Sequence, residues 1–172
     1  MDRETRLAWL LDHHRRPRYR GALPDAEARV PGGNPGCGDV ITMYLKDGVV
    51  GWEGAGCTLS QAAASILAER VNTEKMTFEE ILSMPPEAMI ELLGRDIAAS
   101  RPACALLALG TLKGAVKTVE MNRKLRAAGH TEDQIRALRR AIAAQGDESG
   151  VVVGEGAEKA AAIAPPGATT EH

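Results

Sequence analysis

Apolar positions change their period twice along this chain, and the changes divide it. Over 3–11 (RETRLAWLL), Leu7, Leu10 and Leu11 recur at helical spacing with Trp9 beside them. That spacing predicts a short amphipathic helix ending near Pro17. From 21 to 38 the text is turn-rich, with Pro24, Pro31 and Pro35, and predicts irregular chain. Residues 40–45 are then dense in β-formers, Asp47-Gly48 is a hairpin signal, and 49–53 supplies the returning strand. Gly54 and Gly56 allow the tight turn that follows.

Beyond Cys57 the period becomes helical. Thr58-Leu59-Ser60-Gln61 has the form of a capping box and predicts a helix over 62–69; Thr77-Phe78-Glu79-Glu80 is a second box, whose helix Pro85-Pro86 ends. A short helical piece over 87–93 precedes Gly94. Ser100-Arg101-Pro102 opens the longest helix, running to about 128. Along it Leu109, Leu112, Val116 and Val119 form one apolar stripe, and Lys113, Lys117, Glu120 and Lys124 the wet side. Thr131-x-x-Gln134 caps a final helix over about 131–144, basic through Arg136, Arg139 and Arg140. From 146 onward the text is rich in Gly, Ala and Glu and has no aromatic residue, which predicts an acidic disordered tail over 146–172. Strands come first and helices after. This order predicts an α+β fold: a small antiparallel sheet of about three strands packed on several helices, in one domain over 1–145.

Composition narrows the picture. One Phe, two Trp and two Tyr in 172 residues cannot fill a core, so the core must be aliphatic. Lys+Arg 21 against Asp+Glu 23 gives a net charge of −2, which argues against a globally basic nucleic-acid binder. No apolar run approaches the roughly 20 residues of a membrane span, and Asp2, Arg3 and Glu4 stand where a signal peptide's apolar core would form. The expectation is a cytoplasmic protein that engages neither membrane nor nucleic acid, with reduced thiols.

The candidate chemistry lies in three cysteines. Cys37 sits in the loop Asn34-Pro35-Gly36-Cys37-Gly38-Asp39 before a strand, Cys57 between a Gly-rich turn and a helix, and Cys104 in the first turn of the long helix. Two of the three therefore lie where unpaired N–H groups and the helix dipole stabilise a thiolate, which favours metal binding or nucleophilic sulfur chemistry. Asp39 could add a carboxylate oxygen. Three thiolates and one carboxylate suit zinc or an iron–sulfur cluster. An isolated Cys is equally at home as a small buried hydrophobe, and there is no CxxC pair. On the residues alone the thiols stand open among core residues, ligands and nucleophiles. The glycines around Cys37 lack the Gly-Lys-Ser/Thr ending of a phosphate cradle, and no His-x-Glu or His-Glu-x-x-His element supplies the general base of a zinc hydrolase or deaminase.

Taken together, Asn34-Pro-x-Cys37-Gly-Asp39, Gly54-x-Gly-Cys57-x-x-Ser60-x-Ala62-x-Ala64-Ser65 and Arg101-x-x-Cys104-Ala-x-Leu107 resemble the three motifs of the IscU/NifU-type iron–sulfur cluster assembly scaffolds. Asp12-His13-His14-x-x-Pro17-Arg18-x-x-Gly21 also resembles the family's N-terminal segment, with His14 where the family has Tyr. The likeness spans about 5–125. It implies a SufE/NifU-like sandwich whose three cysteines and aspartate meet at one exposed end. It further implies a non-enzymatic scaffold that takes sulfur from a cysteine desulfurase, binds iron, builds a 2Fe-2S cluster and passes it to apo-proteins or carriers. Cys37, Asp39, Cys57 and Cys104 are carried over as the ligand set for the cluster or for zinc, with Asp39 easing release. The alternative is a zinc-bearing sulfur-transfer protein with Cys104 or Cys57 as persulfide acceptor. A homodimer around a shared cluster is compatible with either.

Two departures stand out. The IscU branch has His directly before its last Cys, where this chain has Ala103, and a Leu-Pro-Pro-Val-Lys stretch where this chain reads Ala98-Ala99-Ser100-Arg101-Pro102. Arg101 instead resembles the NifU and SufU branches, although the extra segment of the SufU branch is missing. His13, His14 and His130 read as exposed histidines beside helix ends. Arg15, Arg16 and Arg18 read as a solvated run, and the sharper expectation is a contact for the desulfurase. The basic 123–140 region reads as charged surface.

Overall fold

The turn at Asp47-Gly48 organises the sheet. In a computed structural model describing residues 1–143 and 152–153, this turn joins β2 (Asp39–Lys46) to β3 (Val49–Ala55). Asp47 (φ 49°) and Gly48 (φ 79°) are both left-handed, as a two-residue hairpin matched to the strand twist requires. β2 is central and pairs antiparallel with β3 on one side and with β1 (Ala28–Asn34) on the other. The order is β3-β2-β1-β4, where β4 (Val152–Val153) lies antiparallel on Gly32 and Gly33. Apart from β4, the tail expected over 146–172 lies outside the described residues.

β1 corrects the expectation of irregular chain over 21–38. Its sequence, ARVPGGN, conceals a strand because Pro31 and two glycines depress β-propensity. Proline is tolerated where little pairs on the outer side, and the glycine at 32 answers to a neighbour rather than to the strand. A Cβ there would stand 1.8 Å from Thr111 Oγ1 on the long helix, so that helix can seat on the sheet only over a glycine.

The helices are α1 (Arg3–Arg15), α2 (Thr58–Glu74), α3 (Phe78–Ser83), α4 (Pro86–Leu93), α5 (Arg95–Ala98), α6 (Pro102–Ala127) and α7 (Glu132–Ala143). α6 packs on β1 and β2, α2 on β3 and α6, and α1 on α2. The four-residue α5 was not predicted, and α2 continues well past 69. Thr77 and Glu80 form the expected capping box of α3. The aliphatic core is as anticipated: Ile41, Met43, Leu45 and Val50 face Leu67, Val71, Leu107, Leu112 and Val116. Ala62, Ala63, Ala64 and Ala68 are fully buried, and their small side chains let α2 approach its neighbours closely. One aromatic joins this core. Trp52 is 0% exposed, its Nε1 donates to Arg18 O at 2.9 Å, and Arg20 stacks over its ring at 5.3 Å. α6 is long and apolar enough to cross a membrane, but its stripe of Leu109, Leu112, Val116 and Val119 is buried in this core.

A second correction concerns the N-terminal arm. α1 runs on to Arg15, so His13 falls one turn after Leu10 on the face toward α2 rather than at an exposed end. It is 1% exposed, with Nδ1 2.8 Å from Ser65 Oγ and its ring edge-on to Trp9. Ser65 Oγ also accepts the Arg18 N–H at 2.8 Å. Burial holds the His13 pKa below its ordinary value. Arg18 is no solvated residue either: it pairs with Asp12 at 2.6 Å and reaches Glu69 at 3.8 Å. Arg15 and Arg16 are exposed, as is His130, while His14 is half-buried.

The Gly32–Thr111 contact yields a direct test. Gly32→Ala is expected to cost about 1–3 kcal/mol through overpacking. Part of that cost, at least about 0.5 kcal/mol, should disappear in a Thr111→Ala background. Thermal denaturation of the two single variants and the double variant reads the coupling.

Candidate metal centre

Three chain segments converge where the sheet meets the helix starts. Cys37 comes from the β1–β2 loop, which Asn34 shapes: its carbonyl accepts the N–H groups of Cys37 (3.2 Å) and Gly38 (2.9 Å), and its Oδ1 accepts that of Gly36 at 3.1 Å. Gly38, at φ 74°, makes the left-handed step out of that loop. Asp39 is the first residue of β2, directly opposite Asn34. Cys104 lies in the first turn of α6, behind Pro102.

Cys57 is the N-cap of α2, which begins at Thr58; this corrects the expectation that Thr58 caps a helix starting at 62. Its sulfur takes the place of the usual hydroxyl or carboxylate and accepts the Ser60 N–H at 3.5 Å. Asp39 Oδ1 accepts the Cys57 N–H at 3.0 Å, so strand and helix start are joined through the site. Gly56 makes this join sterically feasible, because a Cβ at 56 would come within 2.7 Å of Asp39 Cγ.

The Sγ atoms of Cys37 and Cys104 are 3.4 Å apart, and with an Asp39 oxygen the donor atoms lie within 4.8 Å of one another. All three cysteines are free. Cys57 stands outside this group of three, and its sulfur contacts Ser60, whose N–H it accepts. Cys104 and Asp39 are buried, each 3% exposed, while Cys37 and Cys57 are half-buried. The structure thus groups the donor atoms of Cys37, Asp39 and Cys104 and leaves the Cys57 sulfur outside that group, joined to it through the Cys57 backbone N–H on Asp39. Ala103, which stands where the IscU branch has His, is exposed.

Asp39 Oδ2 is the informative atom. It is buried and has no hydrogen-bond partner. An orphaned carboxylate oxygen costs several times a surface one, and a cation among the thiols would satisfy it. Tetrahedral zinc with Zn–S bonds of about 2.3 Å has sulfur–sulfur edges of about 3.8 Å, and the 3.4 Å between Cys37 and Cys104 Sγ lies within a few tenths of an ångström of that edge. The donor set therefore fits zinc, or iron in a cluster.

The three thiols differ electrostatically. The neighbouring Cys104 thiol, joined by the Ser60 N–H, pushes the Cys57 pKa down to about 6 against the cost of burial. Cys104 is correspondingly held as the protonated partner, raised by that thiolate and by its own burial. Burial also raises Cys37. Of the three thiols, Cys57 is therefore the one most favoured as a thiolate at neutral pH, and Cys37 and Cys104 are favoured as thiols.

Comparison with known proteins places this geometry. Residues 8–126 match the model of the NifU-like N terminal domain. The chain belongs to this family. An iron-sulfur cluster assembly scaffold protein IscU from Thermotoga maritima is 37% identical over 131 residues, 64% of this chain and 91% of that protein. A zinc-dependent sulfurtransferase SufU from Bacillus subtilis is 36% identical over 80 residues, 44% of this chain and 52% of that protein. A crystal structure titled as a hypothetical protein superposes with a TM-score of 0.51 at 29% identity, covering 66% of this chain and 98% of its own. The α+β sandwich expected from element order is the fold of this NifU-like chain.

Two contributors were missed among the motif residues. Asn34 and Ser60 were visible in the text, but only their hydrogen bonds give them a part in the site. An Asn ahead of a Pro-Gly loop does signal an Asx turn, and Ser three residues after an N-cap signals a contact to it.

The thiolate assignment predicts a pH profile. In metal-free protein, Cys57 is expected to alkylate with iodoacetamide ahead of Cys37 and Cys104 at pH 7, with a midpoint near 6. Below that midpoint Cys57 protonates, so its rate should fall about tenfold per pH unit. Peptide mapping by mass spectrometry checks both the order and the midpoint.

Proposed function

We propose that this protein is an iron–sulfur cluster assembly scaffold whose cargo is held by Cys37, Asp39, Cys57 and Cys104. The observation that carries the reading is a buried Asp39 carboxylate, its Oδ2 unpartnered, grouped with two thiols whose sulfurs are 3.4 Å apart. A core residue would not leave a carboxylate oxygen unpaired. Iron and sulfide are the substrates of such a site, sulfur arriving from a cysteine desulfurase and the 2Fe-2S cluster leaving for apo-proteins or carriers.

The chain's own contributions follow from its geometry. Half-exposed Cys37 and Cys57 offer entry, whereas Cys104 and Asp39 form the floor. Three soft thiolates hold iron firmly, and one hard oxygen gives a labile corner. Because the same carboxylate accepts the Cys57 N–H, replacing it alters both the corner and the join to α2.

One observation favours a second reading, zinc-supported sulfur transfer. Cys57 stands outside the group of three and is the thiol held as thiolate. A thiolate there attacks the outer sulfur of a donor persulfide; an S–S bond forms on the acceptor as the donor's S–S bond breaks, and the donor leaves as a thiolate.

Anaerobic incubation with ferrous iron, cysteine, a cysteine desulfurase and a thiol reductant, which supplies the electrons that convert persulfide sulfur to sulfide, separates the two. The scaffold is expected to develop a visible-absorbing cluster that transfers to an apo-ferredoxin. Asp39→Ala should form the cluster and release it several-fold more slowly, as transfer kinetics would show. Retained zinc, no cluster and faster desulfurase turnover would establish the sulfur-transfer reading instead.

Desulfurase docking is proposed on the exposed part of the basic arm. Arg18 holds the fold together through Asp12 and Glu69, so the reversal Arg15→Glu with Arg16→Glu is the informative variant. It is expected to weaken desulfurase binding about tenfold or more at low salt, with an unchanged melting temperature. Titration calorimetry at two salt concentrations measures it.

A further inference from the structure

The side-chain amide of Asn34 has two ends, and the fold assigns each of them. Oδ1 accepts the Gly36 N–H at 3.1 Å, a bond only the oxygen can make. The orientation of the amide is therefore fixed by the loop. Its Nδ2 then faces the site, 3.8 Å from Cys104 Sγ. Asn34 is half-buried, and its side chain bonds both to the Cys37 loop and to the Cys104 sulfur.

We infer that Asn34 is a positioning residue that donates an N–H···S hydrogen bond to the Cys104 ligand sulfur. The inference rests on the proposed metal site. Through Asn34, the loop carrying Cys37 and the helix start carrying Cys104 hold their sulfurs at 3.4 Å by one rigid planar group. The chemistry follows from the donor. A metal-bound thiolate carries negative charge, and an N–H aimed at it withdraws electron density from the sulfur, stabilises the charge and reduces its donation to the metal. Neither Asp39 nor Cys37 can do this as ligands, since each offers only acceptor character once ionised. Asn34 is thus built for the loaded state: its loop bond exists without metal, and its sulfur bond strengthens when Cys104 becomes a bound thiolate.

Asn34→Ser separates the two ends. A serine hydroxyl at 34 can still accept the Gly36 N–H in the loop but is too short to reach Cys104. Cobalt(II), a zinc substitute with a sulfur-to-metal charge-transfer band in the near ultraviolet, is the probe. The full-length Asn34→Ser chain should melt as the parent does and bind Co2+ about tenfold more weakly. Its charge-transfer band should move to longer wavelength, because the sulfur has become more electron-rich. A variant whose band position and Co2+ affinity both equal the parent's overturns the inference. If the parent itself binds Co2+ with no thiolate band, the metal-site reading falls, and this inference with it. A measurement on the unsubstituted chain stands apart from any folding defect. On loading with Cd2+, the Asn34 side-chain amide proton is expected to shift downfield in the nitrogen-resolved proton spectrum, and an unmoved resonance counts against the bond.

Discussion

The Asp39 carboxylate is the interaction on which this molecule's working end depends. One oxygen accepts the Cys57 N–H at 3.0 Å and fastens the start of α2 to the first residue of β2. The other is buried without a partner among the thiols. A single group thus closes the fold and leaves the site unsatisfied. The uncompensated oxygen costs on the order of 1–3 kcal/mol, a load that the aliphatic core behind it must carry and that a bound cation would relieve.

That core is arranged to bring the helix starts to the same edge. α6 seats on β1 over Gly32, and α2 seats on β3 and α6 through a face of buried alanines. Small residues at these contacts fix how closely the backbones approach, and so where Cys57 and Cys104 stand relative to the hairpin loop. At the far side, His13, Ser65, Arg18 and Trp52 form a polar pin between the N-terminal arm, α2 and β3. It anchors the helix that Cys57 caps without touching the thiols. Holding α2 at its start and again near its middle suits a site whose ligands come from separate segments, because none of them could organise the others alone.

Much of this was legible along the chain. The hairpin, the apolar stripe of α6, the capping box of α3 and the aliphatic core follow from local rules of period and turn chemistry. Cys37, Asp39, Cys57 and Cys104 could be named because their neighbours form three motifs of a known family; spacing alone left the thiols open among packing, ligation and nucleophilic attack. β1 was hidden because its Pro31 and Gly32 answer to a sheet edge and to Thr111, which lies far off in sequence. His13 was misjudged for a related reason, since its burial depends on Ser65 and α2 rather than on its own helix. The sulfur cap of α2 escaped because the text offers Thr58, one residue on, as a conventional hydroxyl cap.

By itself the sequence determined the order and type of most elements and the composition of the core. These are set by short-range sterics, by hydrophobic period and by residue chemistry, all of which reside in neighbouring positions. The tertiary structure alone decided which thiol is ionised, which carboxylate oxygen is left over and which amide end faces a sulfur. Those properties depend on burial and on partners from distant segments, with separations of a few ångström that no local pattern encodes. The cysteines were legible as a set, but they became three different groups only when the hairpin, α2 and α6 were packed together.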